Sequence, residues 1–144
     1  MPIEPTSEQV EEISAAAGGP DDGPVVMLNL NRYRDRAAYE APDGVDPDVS
    51  GREAYARYGV VAASVLDRIG ARILWYAPAE RTVVGDESDV YDEVIAVWYP
   101  SRRAFLELAM HEDVAPALAH RVAGLERAAL ICCESGPEPA LTGA

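Results

Sequence analysis

Asn29 and Asn31 stand two residues apart in the run PVVMLNLNRYR, and Tyr33 follows at the same spacing. On an extended strand such residues project from one face. Their amide donors can then converge on an enolate or another developing oxyanion, with a phenol beside them. The competing reading is that the amides satisfy neighbouring backbone or each other. Tyr55 and Tyr58, three apart in a helical pattern, fit core packing or, at a pocket edge, a proton donor. Trp75 and Trp98 fit either an aromatic wall for a planar ligand or the filling of a core or dimer interface. Met27 shares the asparagine face. His111 and His120 titrate near neutrality and can serve as acid or base, although a histidine at a helix end is also a common dipole-stabilised surface group.

The chemistry this set favours is proton transfer on a carbonyl compound. Asn29 and Asn31 would polarise the carbonyl, Tyr58 or His111 would shuttle the proton, and Met27, Tyr33, Tyr55, Trp75 and Trp98 would hold an apolar or aromatic substrate. No metal is expected, because the two histidines lie nine residues apart with no third histidine or nearby cysteine. Haem held through His111 or His120 is the minor alternative. No GxGxxG, P-loop, nucleophile elbow or CxxC occurs, so no nucleotide cofactor and no covalent serine or cysteine chemistry is expected. Asp92 and Glu93 are adjacent on a strand and face opposite ways, so they are not a convergent carboxylate pair. Arg32, Arg34 and Arg36 alternate, either as a comb for an anion or as solvated charges pairing with Asp35 or Glu40.

The elements that must position these residues can be read from caps and periodicity. Residues 6–17 form a helix capped by Thr6 or Ser7, with a thin apolar stripe of Val10, Ile13 and Ala17. Within the strand of residues 24–34, Val26, Leu28 and Leu30 make an aliphatic face that wants a core, while Val25, Met27, Asn29, Asn31 and Tyr33 make the furnished face. Residues 35–50, rich in Pro, Asp and Gly, read as a long loop and a candidate lid or partner contact. Ser50 then opens a helix with the capping-box spacing to Glu53, and Gly70 closes it. Residues 71–85 read as a strand bent at Pro78, and 92–101 as a central, almost wholly apolar strand. Ser101 caps a further helix, residues 113–124 continue it or form another, and 126–136 are the last strand. Cys132 and Cys133 are neighbours on that strand, so a mutual disulfide is geometrically poor, and two small buried thiols are expected.

After the first helix the order is strand, helix, strand, strand, helix, strand. That is an α+β, ferredoxin-like sandwich: a four-stranded antiparallel sheet with helices on one face. The other face would carry aromatic and aliphatic side chains, so a homodimer closing sheet on sheet is expected. Residues 1–23 are read as an N-terminal helix and loop, 24–136 as the α/β-barrel domain, and 137–144 as a disordered tail.

At 144 residues the chain is long enough for one core and one pocket. A net charge of −13 and a pI near 4.4 argue against nucleic acid or an anionic membrane as partner. All twelve cations are arginines. The start, MPIEPTSEQVEEIS, lacks a basic region followed by an apolar one, so no secretory signal is read and a cytoplasmic location is expected.

The runs MLNLNRYR, SGREAYARYG, GARILW, YDEVIAVWYPSRRAFLEL and AHRVAGLERAALI resemble the domain-of-unknown-function family 1330 of the dimeric α/β-barrel superfamily, over residues 24 to 133. Members of that family commonly carry arginine at Trp98 and tryptophan at Tyr91. The resemblance implies a dimer with a cavity between sheet and helices or within the barrel. Similar barrels host cofactor-independent oxygenases, polyketide cyclases, muconolactone-type isomerases and some haem enzymes. The function implied is isomerase, cyclase or cofactor-free monooxygenase chemistry on an apolar, aromatic or polyketide-like substrate. The reading from another class is a non-catalytic ligand-binding or dimeric assembly module.

Overall fold

A computed structural model describes residues 3–41 and 44–137. Helix α1 (Ser7–Ala16) starts at a full capping box: the Thr6 hydroxyl accepts from the Gln9 amide at 3.1 Å, and the Gln9 side chain accepts from the Thr6 amide at 2.9 Å. Strand β1 (Val25–Tyr33), helix α2 (Gly51–Arg68) and strand β2 (Arg72–Pro78) follow. Then come strand β3 (Glu93–Tyr99), helix α3 (Arg102–Ala109), the short helix α4 (Leu118–Gly124) and strand β4 (Leu125–Glu134). Single 3-10 turns lie at Glu87–Asp89 and Ala115–Ala117. Ser50 and Ser101 cap α2 and α3 by accepting from Glu53 N and Ala104 N at 3.1 and 3.0 Å. Gly70, at φ +77°, takes the left-handed position that ends α2.

The sheet order is β2-β3-β1-β4, and every pairing is antiparallel. This is the expected α+β ferredoxin-like arrangement, with β1 and β3 inside. The principal core joins Val25 and Met27 of β1, Val97 and Tyr99 of β3, Val65 and Leu66 of α2, Ala104 and Leu108 of α3, and Val114. Asp22 ties the loop after α1 to the start of α3: its carboxylate accepts from the amides of Arg102 and Arg103 at 2.8 and 3.2 Å.

Three details differ from the sequence reading. The strand read over residues 71–85 stops at Pro78, which brings no N–H to a further ladder step. The two faces of β1 are exchanged in role. Helices cover the furnished face, because Val25 and Met27 make its first half apolar, while Val26 and Leu28 join Ala96, Trp98, Leu74 and Cys133 in a smaller cluster built of strand residues alone. The cysteines also are not both buried. They sit opposite Met27 and Val26 on the edge strand β4, so Cys132 is exposed and only Cys133 is partly covered, both as free thiols. The residues read as a tail lie, beyond position 137, outside the described residues.

The described parts of the loop, residues 34–41 and 44–50, are stitched to both neighbouring helices. Ala37 N donates to Val49 O and Ala38 N to Ala123 O, each at 2.9 Å. Arg57 of α2 donates to the Tyr39 hydroxyl at 3.0 Å and to Asp46 O at 2.9 Å, and the Tyr39 hydroxyl lies 2.7 Å from His120 Nδ1 of α4. The arginine comb is divided among separate partners: Arg32 pairs with Glu126 at 3.0 Å and Arg36 with Asp48, rather than with Asp35 or Glu40.

Candidate functional site

The second half of the furnished face is where polar groups collect. Asn31 is 2% exposed, the buried polar residue among the core side chains. Its amide nitrogen lies 3.5 Å from the Tyr33 hydroxyl, two residues on. Register places Asn31 opposite Glu93 at the start of β3. The Tyr33 hydroxyl donates to Glu93 Oε1 at 2.5 Å, and Tyr33 N donates to the neighbouring Asp92 carboxylate at 2.7 Å. The two adjacent acids thus hold one tyrosine from different sides, one by its main chain and one by its phenol. Arg52, in the first turn of α2, covers this end: its guanidinium carbon is 4.7 Å from the centre of the Tyr33 ring, and Nη1 is 3.7 Å from Glu93 Oε2.

Inward from Arg52 the rings run from Tyr33 to those of α2. Tyr33 and Tyr55 have centroids 5.3 Å apart, and Tyr55 and Tyr58 5.5 Å, both pairs tilted by 51°. Tyr99 closes the far end within the core. Burial pushes the phenol pKa upward at Tyr33, Tyr55, Tyr58 and Tyr99, and at Tyr33 the bond to Glu93 adds to it. All four phenols therefore stay protonated near neutrality, and the Glu93 carboxyl accepts from that of Tyr33.

The local backbone explains why α2 can come so close. Gly51 N donates to Arg34 O at 3.0 Å, and Arg34 N donates to Gly124 O at 2.9 Å. A Cβ on Gly51 would overlap the Arg34 carbonyl and lie 2.6 Å from Gly124 O. Glycine at both positions lets the start of α2 rest backbone on backbone against the end of α4.

Of the residues singled out in the sequence, Asn31, Tyr33, Tyr55 and Tyr58 come together, with Met27 in the adjoining core. Asn29 takes another course: its amide group donates to Met27 O and Ile95 O, each at 3.3 Å, so the two asparagine amides do not converge. Trp98 lies on the opposite sheet face, in the cluster with Val26 and Ala96, and its indole N–H reaches Gly136 O at 3.4 Å. Trp75 is 39% exposed and in register with Ala96 of that face. Neither indole faces Asn31. His111 lines a separate depression of about 490 Å³ with Ile69, Arg103, Leu106, Glu107 and Met110, whose walls include neither Asn31 nor Tyr58. The sequence reading missed Glu93 and Arg52. The signal for Glu93 was the strand pairing, since a period of two on β1 and on β3 puts it on the asparagine face once the register is known. Among the described residues, no three His, Cys, Asp or Glu side chains gather in a metal-holding group, and no helix is long and apolar enough to cross a membrane.

Fold and site together define an α+β, ferredoxin-like protein with a tyrosine-lined polar cluster between sheet and helices. The solved structure of methylated RPA0582 protein is 36% identical, with a TM-score of 0.80 over 94% of this chain and 96% of that one. A second structure of RPA0582, a protein of unknown function from Rhodopseudomonas palustris, gives 36% identity and a TM-score of 0.79 over 92% and 95% of the two chains. The chain belongs to the family of RPA0582. A dabb family protein with a ferredoxin-like fold from Mesorhizobium loti is 14% identical, with a TM-score of 0.50 over 78% of this chain and 97% of that one, a likeness of fold alone. No protein-family model matches the chain, and no curated protein matches it.

Proposed function

We propose that the chain is a homodimeric small-molecule enzyme of the family 1330 type, acting without nucleotide or metal cofactor on a carbonyl compound that is largely apolar, aromatic or polyketide-like. The single observation that carries this reading is the 2.5 Å bond from Tyr33 to Glu93 beside buried Asn31, under a half-exposed arginine. The Tyr33 hydroxyl on Oε1 and Arg52 near Oε2 hold the Glu93 carboxylate in one orientation, and a carboxylate so positioned can take a proton from a carbon next to a carbonyl. In the proposed step Glu93 accepts that proton, the electron pair of the C–H bond moves into the enolate, and the Asn31 amide stabilises its oxygen. Return of the proton to a different carbon completes an isomerisation; attack of the enolate carbon on a second carbonyl of the same molecule, whose C=O electron pair moves to its oxygen and takes the proton back from Glu93, completes a cyclisation. Tyr55, Tyr58 and Met27 supply the wall. Rotation of Arg52 away from Tyr33 opens the route from solvent.

The dimer would form across the uncovered sheet face, where Trp75, Ile131 and the Val26–Trp98 cluster leave apolar surface without a helix. One observation favours the non-catalytic assembly reading instead. Among the described residues every fully buried side-chain nitrogen and oxygen has a hydrogen-bond partner, the mark of a packed interior. Native mass spectrometry of the protein purified from its own host separates the two. The expected result is twice the chain mass with a retained small molecule that is lost in Asn31→Ala and Tyr33→Phe. A bare dimer supports the assembly module, and a bare monomer overturns both.

A further inference from the structure

Arg121 is the cation of this molecule whose surroundings are least explained. It lies in the last turn of α4, partly buried, in a chain with 25 acidic residues to 12 arginines. Yet among the described residues no carboxylate comes within ion-pair distance of it. Its one hydrogen-bonded oxygen is uncharged: Nη1 donates to the main-chain carbonyl of Ile3 at 2.6 Å. A partly desolvated guanidinium gains far more from an anion than from an amide dipole, and its fork matches a carboxylate in two-point geometry. The groups around it are donors too. Its charge acts on the phenols of both Tyr55 and Tyr58, opposing the upward push of burial. Arg52 stands at the Tyr33 end of the same tyrosine row, and the Asn31 side chain reaches the hydroxyls of Tyr33 and Tyr55. Glu93 is the acid facing that row, and it is already engaged by Tyr33 and Arg52.

We infer that Arg121 is the carboxylate anchor of the site, so that the ligand is a small organic acid and the Ile3 carbonyl is a stand-in that the carboxylate displaces. This rests on the reading of the Asn31–Tyr33–Glu93 cluster as a small-molecule site and adds the substrate class. The carboxylate binds at Arg121, the apolar body lies along Tyr58 and Tyr55, and the reacting carbonyl reaches Asn31. An acidic substrate also explains why a chain of net charge −13 keeps a cation here: without one, its overall field would repel such a ligand.

The test is calorimetric titration of the full-length chain with aryl and arylalkyl carboxylates, from benzoate to 4-phenylbutyrate, each against its uncharged primary amide. The expected result is an acid bound at least about tenfold more tightly than its amide. Arg121→Gln should abolish that preference and Arg121→Lys should restore part of it. Equal binding of acid and amide, or a preference that survives Arg121→Gln, overturns the anchor. Amides that bind equally well but are lost in Tyr33→Phe leave the site standing and the anchor refuted. Absence of binding by every acid and every amide overturns both.

Discussion

Replacing Tyr33 by phenylalanine removes one oxygen atom and leaves the ring, so it isolates the bond on which the site is built. Tyr33 is 8% exposed, and the Glu93 side chain 15%, so water has little access to replace the lost donor. A hydrogen bond to a charged acceptor is worth roughly 1.5–3 kcal/mol in such surroundings. The Arg52 contact compensates little, since at 3.7 Å and with Arg52 half exposed it is a weak pair of well under about 1 kcal/mol. Tyr33→Phe should therefore destabilise by about 2 kcal/mol, equivalent to roughly 5–10 °C in Tm for a chain of this length. Glu93→Gln should cost a similar amount, because the amide accepts a weaker bond and Arg52 loses its partner. Once either partner is gone the bond cannot be lost again, so the double variant should fall about 1.5–3 kcal/mol short of the sum. Urea unfolding followed by circular dichroism, with all four proteins at one fixed concentration, measures the cycle. A coupling below about 0.5 kcal/mol would refute the claim that this bond organises the site.

Two further outcomes follow from the packing. Gly124→Ala should lose roughly 3 kcal/mol or more in the same assay, because its Cβ would meet the backbone of Gly51 and Tyr55, neither of which can yield like a flexible side chain; a neutral result would mean that α2 and α4 move apart freely. The Tyr39 hydroxyl accepts from Arg57 at 3.0 Å and lies 2.7 Å from His120 Nδ1. Burial first and the Arg57 charge second hold the His120 pKa below 6.5. The unfolded chain therefore takes up that proton first as pH falls: stability is full above about pH 6.5, declines as pH drops through that value, and levels off below the folded pKa. His120→Gln should flatten this slope in pH-dependent thermal melts, and an unchanged slope would assign it elsewhere.

Much of the architecture was legible because its signals are local. Thr6, Ser50 and Ser101 cap the helices their spacing announces, and Gly70 ends α2 in the left-handed conformation. The alternation in β1 sorted its side chains into two correct groups, but a period of two yields a partition without a direction. Which group met the helices was decided by packing at Val25 and Met27, far along the chain from their partners Val65 and Leu108. The same limit governs the site. Asn31, Tyr33, Tyr55 and Tyr58 could be named from one strand and one helix. Glu93 could not, since its role depends on a cross-strand register that no local pattern specifies. Asn29 shows the reverse failure, because the backbone carbonyls that claim its amide leave no trace in sequence.

The meeting of Gly51 and Gly124 has a wider consequence. The frame beside the cluster is made of main-chain atoms: Arg34 N to Gly124 O, Gly51 N to Arg34 O, and Ala38 N to Ala123 O. The side chains of the cluster, Tyr33, Tyr55 and Tyr58 with Arg52 covering them, take no part in those three bonds. The alignment of α2 against α4 is therefore set by main-chain atoms, apart from the stability that the Tyr33–Glu93 bond adds. Variants at Arg52, Tyr55 and Tyr58 that leave both glycines untouched should therefore change the lining of the cluster while α2 and α4 keep their contact.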